Sequence, residues 1–332
     1  MRIGIIGAGA IGGTIAALLD RGGHDVAVTA RGEHLAAIRR DGLLLTGGWG
    51  EHRALLDAGE VLTGRFDLVV ATTKAAAAEK ALGMNAAALG DGVPLVVVQN
   101  GLDGIAVARR AAPRAEAIGA LSLIAASFLV PGEVTVTAPL PTVLGREPGA
   151  DPAPLRFAAD LLGQVMPIET VDDLRGAQWT KLLINHVNAL PAITGLSVQQ
   201  VVADPRLRRI LTASMRETVR LARALGIRFA PLRGLTDARL GLLGAAPLAL
   251  GGLLPRAMAR QMGDVPNPGS TLQSIRRGQP TEIDALNGAV VREAAAAGRT
   301  APISAALTAL VHEVEQGGFL PVDEVVRRVP LR

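Results

Sequence analysis

Apolar residues in the first half of the chain come in short unbroken runs instead of alternating with polar ones. Arg2–Ile6, Asp25–Thr29, Leu43–Thr46, Asp67–Ala71 and Pro94–Val98 read as strands buried on both faces. Between them, Ile11–Arg21, Glu33–Arg40 and Ala75–Leu89 carry helical spacing. Buried strands alternating with helices predict a parallel sheet covered on both sides. The pattern changes from Ala115 to Gly145. Pro131-Gly132 separates Ile118–Val130 from Glu133–Thr137, and Pro139 and Pro141 precede Val143–Gly145. That stretch predicts an antiparallel edge on the same sheet. Asp151–Leu162 reads as a helix and Val165–Glu169 as a last strand.

After about Val171 only helical spacing remains, at Asp173–Leu190, Pro205–Gly226, Ala246–Gln261, Ser270–Arg277, Thr281–Ala297 and Pro302–Gln316. The last of these opens with proline and stops at Gly317-Gly318, each at the helix end it favours. No internal repeat is present. The expected architecture is an α/β domain over residues 1–171 followed by an all-α domain over residues 172–332. The cleft between two such domains is the expected ligand site.

Composition narrows the function classes. The chain has 332 residues, 49% hydrophobic, which suffices for two cores, and a net charge of only +4 argues against disorder. Aromatics are 2% and tyrosine is absent, so a surface that stacks nucleic-acid bases is not expected. With no cysteine, disulfides, zinc thiolates, iron–sulfur clusters and cysteine nucleophiles drop out. The N-terminal apolar stretch is too short for a signal peptide. Ala117–Gly132 and Leu240–Pro255, the longest uncharged runs, fall short of the ~20 apolar residues of a membrane span. The expectation is a soluble, cytoplasmic protein without nucleic-acid or membrane partners.

Gly7-Ala8-Gly9-Ala10-Ile11-Gly12 matches G-x-G-x-x-G, after a strand and at the opening of a helix. The first glycine permits a tight turn, the second lets a pyrophosphate approach the backbone, and the third allows close helix–strand packing. The N-terminal domain is therefore predicted to be Rossmann-type. At the end of its second strand, Arg31 stands where NAD sites usually carry an acid. A guanidinium suits a 2′-phosphate, so NADP(H) is the expected cofactor. Lys74 and Asn100 follow further strands, at the sheet edge where such folds bind ligands.

Lysine occurs only at 74, 80 and 181 among 34 basic residues. Lys181 lies in an apolar helical stretch. At about 100° per residue, Asn185 and Asn188 share its face, giving a polar stripe that needs partners or a wet cavity. Ser270-Thr271-Leu272-Gln273 and Thr281-Glu282-Ile283-Asp284 each read as a capping box, the second leaving Glu282 free to face a ligand. Neither a catalytic triad nor paired metal spacing is present, and His186 reads as a packing residue.

Together these features resemble the ketopantoate reductase (2-dehydropantoate 2-reductase) family over nearly the whole chain. The carriers are the Gly7–Gly12 loop, Arg31, Lys74, Gln99-Asn100-Gly101, Trp179-x-Lys181-Leu-x-x-Asn185, Ser270, and Thr281-Glu282-Ile283-Asp284 with Asn287-Gly288. The resemblance implies NADPH-dependent reduction of ketopantoate to pantoate, on the way to pantothenate and coenzyme A. It implies Lys181 as proton donor, with Asn100, Asn185, Asn188 and Ser270 on the substrate. Gly7, Ala8, Gly9, Ala10, Ile11, Gly12, Arg31, Lys74, Asn100, Ala125 and Glu282 would hold the cofactor. Many relatives place the second asparagine eight residues after the lysine, one more than here. The Gly226–Pro268 interval is longer than in compact members and would serve as a lid or a homodimer contact. Two alternatives stand beside this reading. One is reduction of another small branched 2-oxo acid. The other is an NADP-sensing regulator without turnover, which would not require the Lys181 stripe.

Overall fold

A computed structural model of the chain describes residues 1–263 and 265–331, the side chains at 249 and 250 excepted. The chain divides into two compact units, Met1–Leu174 and Arg175–Arg332. Among the described residues no helix is long and apolar enough to cross a membrane.

The first unit runs β1 (Arg2–Ile6), α1 (Ala10–Arg21), β2 (Asp25–Thr29), α2 (Gly32–Asp41), β3 (Leu43–Gly47), β4 (His52–Ala54), β5 (Asp57–Gly59), β6 (Leu68–Ala71), α3 (Ala75–Met84), β7 (Pro94–Val98), α4 (Gly104–Ala111), β8 (Glu116–Ser122), β9 (Ala125–Ser127), β10 (Glu133–Ala138), β11 (Thr142–Gly145), α5 (Pro152–Gly163) and β12 (Ile168–Val171). Eight strands form one sheet in the order β12-β11-β8-β7-β6-β1-β2-β5. From β8 to β5 every pairing is parallel, as in Ile3 opposite Leu68 and Ile5 opposite Val28. Ile3, Ile5, Leu68, Val69, Val70 and Val96 have no exposed surface. Burial on both faces explains the unbroken apolar runs.

The expected antiparallel edge is only half present. β11 does run antiparallel to β8, but β12 then pairs parallel to β11. β9 and β10 leave the main sheet and join β3 and β4 in a second one, ordered β4-β3-β10-β9. Gly47, at φ +94, brings β3 against the Val136 backbone where a side chain would not fit, and Thr46 and Thr135 share a hydroxyl hydrogen bond of 2.9 Å. This small sheet packs over α1, with Val134 and Leu43 against Gly13.

The second unit is helical, with α6 (Leu174–Asn185), a 3-10 turn at His186–Asn188, α7 (Ala189–Thr194), α8 (Val198–Ala203), α9 (Pro205–Ala224), α10 (Asp237–Ala245), α11 (Leu248–Gly251), α12 (Leu253–Gln261), α13 (Gly269–Arg276), a 3-10 turn at Ile283–Ala285, α14 (Asn287–Ala296), α15 (Pro302–Gln316) and α16 (Val322–Arg328). Three expected helices are broken. Asp173–Leu190 tightens into the 3-10 turn because Pro191 has no N–H for the Val187 carbonyl and its ring crowds that turn. Ala246–Gln261 splits around Gly251-Gly252, and the helix expected from Thr281 becomes α-helical only at Asn287. The start of α9 is fixed by Asp204, which accepts from the N–H of Arg206 at 2.8 Å, and by Pro205 in the first turn.

Candidate functional site

The glycine loop spans the end of β1 and the start of α1, and the carboxyl end of the parallel sheet aims the chain into it. Gly7 turns at φ +101, a conformation that favours glycine. Its N–H donates to Thr29 Oγ1 at 2.8 Å and its carbonyl accepts from Thr72 Oγ1 at 2.6 Å. The Ala8 N–H donates to the Thr29 carbonyl at 2.9 Å. The Gly132 N–H donates to His34 Nδ1 at 2.9 Å, so Nε2 carries the proton that bonds the Ala8 carbonyl at 2.7 Å. Burial lowers the pKa of this imidazole. Thr29, His34 and Thr72 were not singled out in the sequence. A hydroxyl at the last position of β2 and just beyond β6, beside a glycine loop, is the signal that was available.

A Cβ on Gly12 would collide with the Gly7 carbonyl and Thr72, so helix and turn touch there. A Cβ on Gly9 would meet nothing within 4 Å. Ala10 and Ile11 open α1, which has no side-chain cap and no acid in its first turn. Open space in front of uncapped N–H groups at a 12-residue helix suits a pyrophosphate. The same sheet edge carries the other expected residues of this unit. Arg31, exposed, precedes α2 and points its guanidinium at Met84 Sδ at 3.5 Å. Lys74, exposed, precedes α3. Asn100 lies two residues beyond β7, where Gln99 Nε2 donates to the Thr73 carbonyl at 3.1 Å. Ala125, exposed, opens β9 in the small sheet that packs over α1.

In the second unit Lys181 is 8% exposed, in a helix whose Trp179 and Leu183 are fully buried. Burial lowers its pKa from 10.5 to about 8, and the negative charge of Glu282 opposes that drop. Asn185 follows one turn on, half-buried, as the last residue of α6. Lys181 and Glu282 thus share one electrostatic environment on one unit, with Asn185 one turn along the helix from the amine. Glu282 comes to it from the bend before the 3-10 turn, and acts on the amine.

Asn188 departs from the expected stripe, since the helix is no longer regular beyond Asn185. Its Oδ1 accepts from the Ser270 N–H at 3.2 Å, and a Cβ on Gly269 would strike the same oxygen. Neither capping box forms as expected. Ser270 lies inside the first turn of α13, which begins at Gly269, and Asn267 Oδ1 takes the Gly269 N–H at 2.8 Å. Asp284 makes no cap. Its carboxylate bonds His312 Nε2 at 2.9 Å. A capping box does form at the start of α8, between Ser197 and Gln200.

His186 is the packing residue it was expected to be. It is 1% exposed, with Nδ1 at 2.6 Å from Ser214 Oγ and Nε2 at 2.9 Å from Thr218 Oγ1. Asn287 Nδ2 approaches Nδ1 at 3.3 Å. Burial pushes this imidazole down to about 4, so it is neutral and ties the break after α6 to α9 and α14. The long Gly226–Pro268 interval, of which residue 264 lies outside the described residues, lines an open apolar pocket of about 450 Å³. The walls of this pocket include Leu240, Leu243, Met258 and, from α6, Ile184, but not Lys181, Asn185 or Glu282.

Comparison with known proteins bears on both units. Residues 3–149 match the family described as ketopantoate reductase PanE/ApbA, and residues 173–315 match the family of its C-terminal part. The 2-dehydropantoate 2-reductase of Mesorhizobium japonicum is 31% identical, over 96% of this chain and 100% of its own length. The crystal structure of a PanE/ApbA family ketopantoate reductase from Ralstonia eutropha superposes with a TM-score of 0.81 at 28% identity, covering 95% of this chain and 99% of that one. D-mandelate dehydrogenase, solved with NADH and anilino(oxo)acetate, reaches a TM-score of 0.81 at 22% identity over 95% and 99% of the two chains, which shows a shared fold.

Proposed function

The chain belongs to the ketopantoate reductase family, and from that membership we propose that it reduces the C2 ketone of 2-dehydropantoate (ketopantoate) to (R)-pantoate with NADPH. The observation that carries the proposal is the buried Lys181 amine, brought to about 8 beside Glu282. A general acid works best with a pKa near the operating pH, and an amine in that range gives its proton to an oxygen gaining negative charge. Before transfer, the same positive charge stabilises the developing alkoxide.

The residues of the first unit fit a dinucleotide. Gly7, Ala8, Gly9, Ala10, Ile11 and Gly12 would hold its pyrophosphate, and Arg31 would pair with a 2′-phosphate. Lys74, Asn100 and Ala125 complete the expected set. When bound, the nicotinamide supplies the hydride. On the second unit, Lys181 holds the proton on Nζ, Glu282 keeps the amine charged, and Asn185 orients the substrate oxygen. Asn188 fixes the start of α13 through Oδ1 and has its amide nitrogen as a donor to the hydroxyl end. Ser270 and the first turn of α13 would take the carboxylate.

Steady-state NADPH oxidation against a panel of 2-oxo acids tests the reading. The highest kcat/KM is expected with ketopantoate. A higher value with another branched or an aryl 2-oxo acid would move the substrate, and no turnover with any would leave a cofactor sensor.

A further inference from the structure

Glu282 sits in a short segment held at both ends by one helix. At one end, Glu315 Oε1 of α15 accepts the Thr281 N–H at 2.9 Å. At the other, His312 Nε2 of α15 meets the Asp284 carboxylate at 2.9 Å. His312 Nδ1 meets Glu315 Oε2 at 2.7 Å, so the imidazole joins the two grips. Arg292 of α14 steadies the same segment by donating to the Asp284 carbonyl at 2.7 Å. We propose that His312 and Glu315 form a clasp that positions Glu282 toward the Lys181 amine, making them positioning residues for the proton donor.

The chemistry of the imidazole gives the clasp a dependence on pH. Asp284 and Glu315 are the charged groups that face it, one at each ring nitrogen. Only the imidazolium donates to both; a neutral ring has a single N–H and sets a lone pair against one carboxylate. The two carboxylates raise the pKa of His312, Glu315 first and Asp284 second. The grip is therefore complete below the ordinary histidine value and is lost as pH rises through the raised one. His312 is partly exposed, so the clasp contributes little to stability. Its effect is on where Glu282 stands.

The inference rests on Lys181 as the acid, but its test does not need turnover. With three lysines in the chain, protein labelled with [13Cε]lysine gives resonances that can be assigned to Lys74, Lys80 and Lys181. The Lys181 signal is the one lost in Lys181→Met. In the wild type its titration midpoint should lie near 8. Glu282→Gln should lower it by about one pH unit or more, as removal of a close opposite charge does. His312→Ala and Glu315→Gln should each lower it by part of that amount, and His312→Ala added to Glu282→Gln should lower it no further. An unchanged midpoint in His312→Ala and Glu315→Gln, or an equal drop with and without Glu282, would overturn the clasp. If Lys181→Ala left kcat intact, the acid role would fail while these midpoints still decided the positioning.

Discussion

Lys181→Met should make the second unit more stable. The folded state holds the amine at about 8 against an ordinary 10.5. At roughly 1.4 kcal/mol per pH unit, keeping it charged in the fold costs about 3 kcal/mol. The folded amine gives up its proton at lower pH than the unfolded one. Between about 8 and 10.5 the unfolded chain therefore holds more protons, and stability from this group rises with pH. The cost is complete below pH 8 and gone above 10.5. Methionine is close to lysine in length and volume and carries no charge, so it removes the cost without opening a large cavity. The gain should be about 2–3 kcal/mol at pH 7, shrinking toward zero near pH 10.5. Urea unfolding followed by Trp179, in a Trp49→Phe background, reads the unit that contains Lys181. A variant no more stable than its parent at pH 7, or a gain that stays constant from pH 7 to 10.5, would refute the reasoning.

Three further variants separate the roles of residues in the first unit. Gly9→Ala should leave the melting temperature unchanged, since its Cβ meets open space, while weakening NADPH binding. Gly12→Ala should destabilise by about 1–3 kcal/mol, because its Cβ collides with the Gly7 carbonyl and Thr72. Calorimetry and cofactor titration check both, and equal melting temperatures would remove the close helix–turn packing from the account. Arg31→Ala should cost about 1.5–3 kcal/mol of NADPH affinity, with little change for NADH. An equal loss for both would take the 2′-phosphate away from Arg31.

How far the sequence could be read depended on whether a feature was local. β1, β2 and β7 match their apolar runs residue for residue, because burial on both faces leaves no other pattern. The glycine loop was legible for the same reason, since its geometry comes from its own backbone. The destination of β9 and β10 was not. Apolar and β-branched residues qualify them for a sheet without saying which, and the choice follows from a distant fit against Gly47 and α1. The polar stripe assumed a regular helix to Asn188, and Pro191 was the overlooked sign that it ends sooner. Ser270 and Thr281 had cap-like spacing, yet Asn188 and Asn267 satisfy the first start and Glu315 the second. Asn267 is a local partner, but Asn188 and Glu315 come from tens of residues away, beyond any local rule. Lys181 itself stood out through scarcity and an apolar setting, whereas the arrival of Glu282 beside it depends on the fold.

In the proposed reaction Lys181 protonates the new alkoxide, and single-turnover reduction of ketopantoate by Lys181→Ala tests that role most directly. A fall in rate of about 10²–10⁴-fold is expected, with NADPH affinity nearly unchanged and little recovery in Lys181→Arg. A rate within a few-fold of the wild type, on ketopantoate or the best 2-oxo acid found, would contradict it and leave Lys181 a structural lysine.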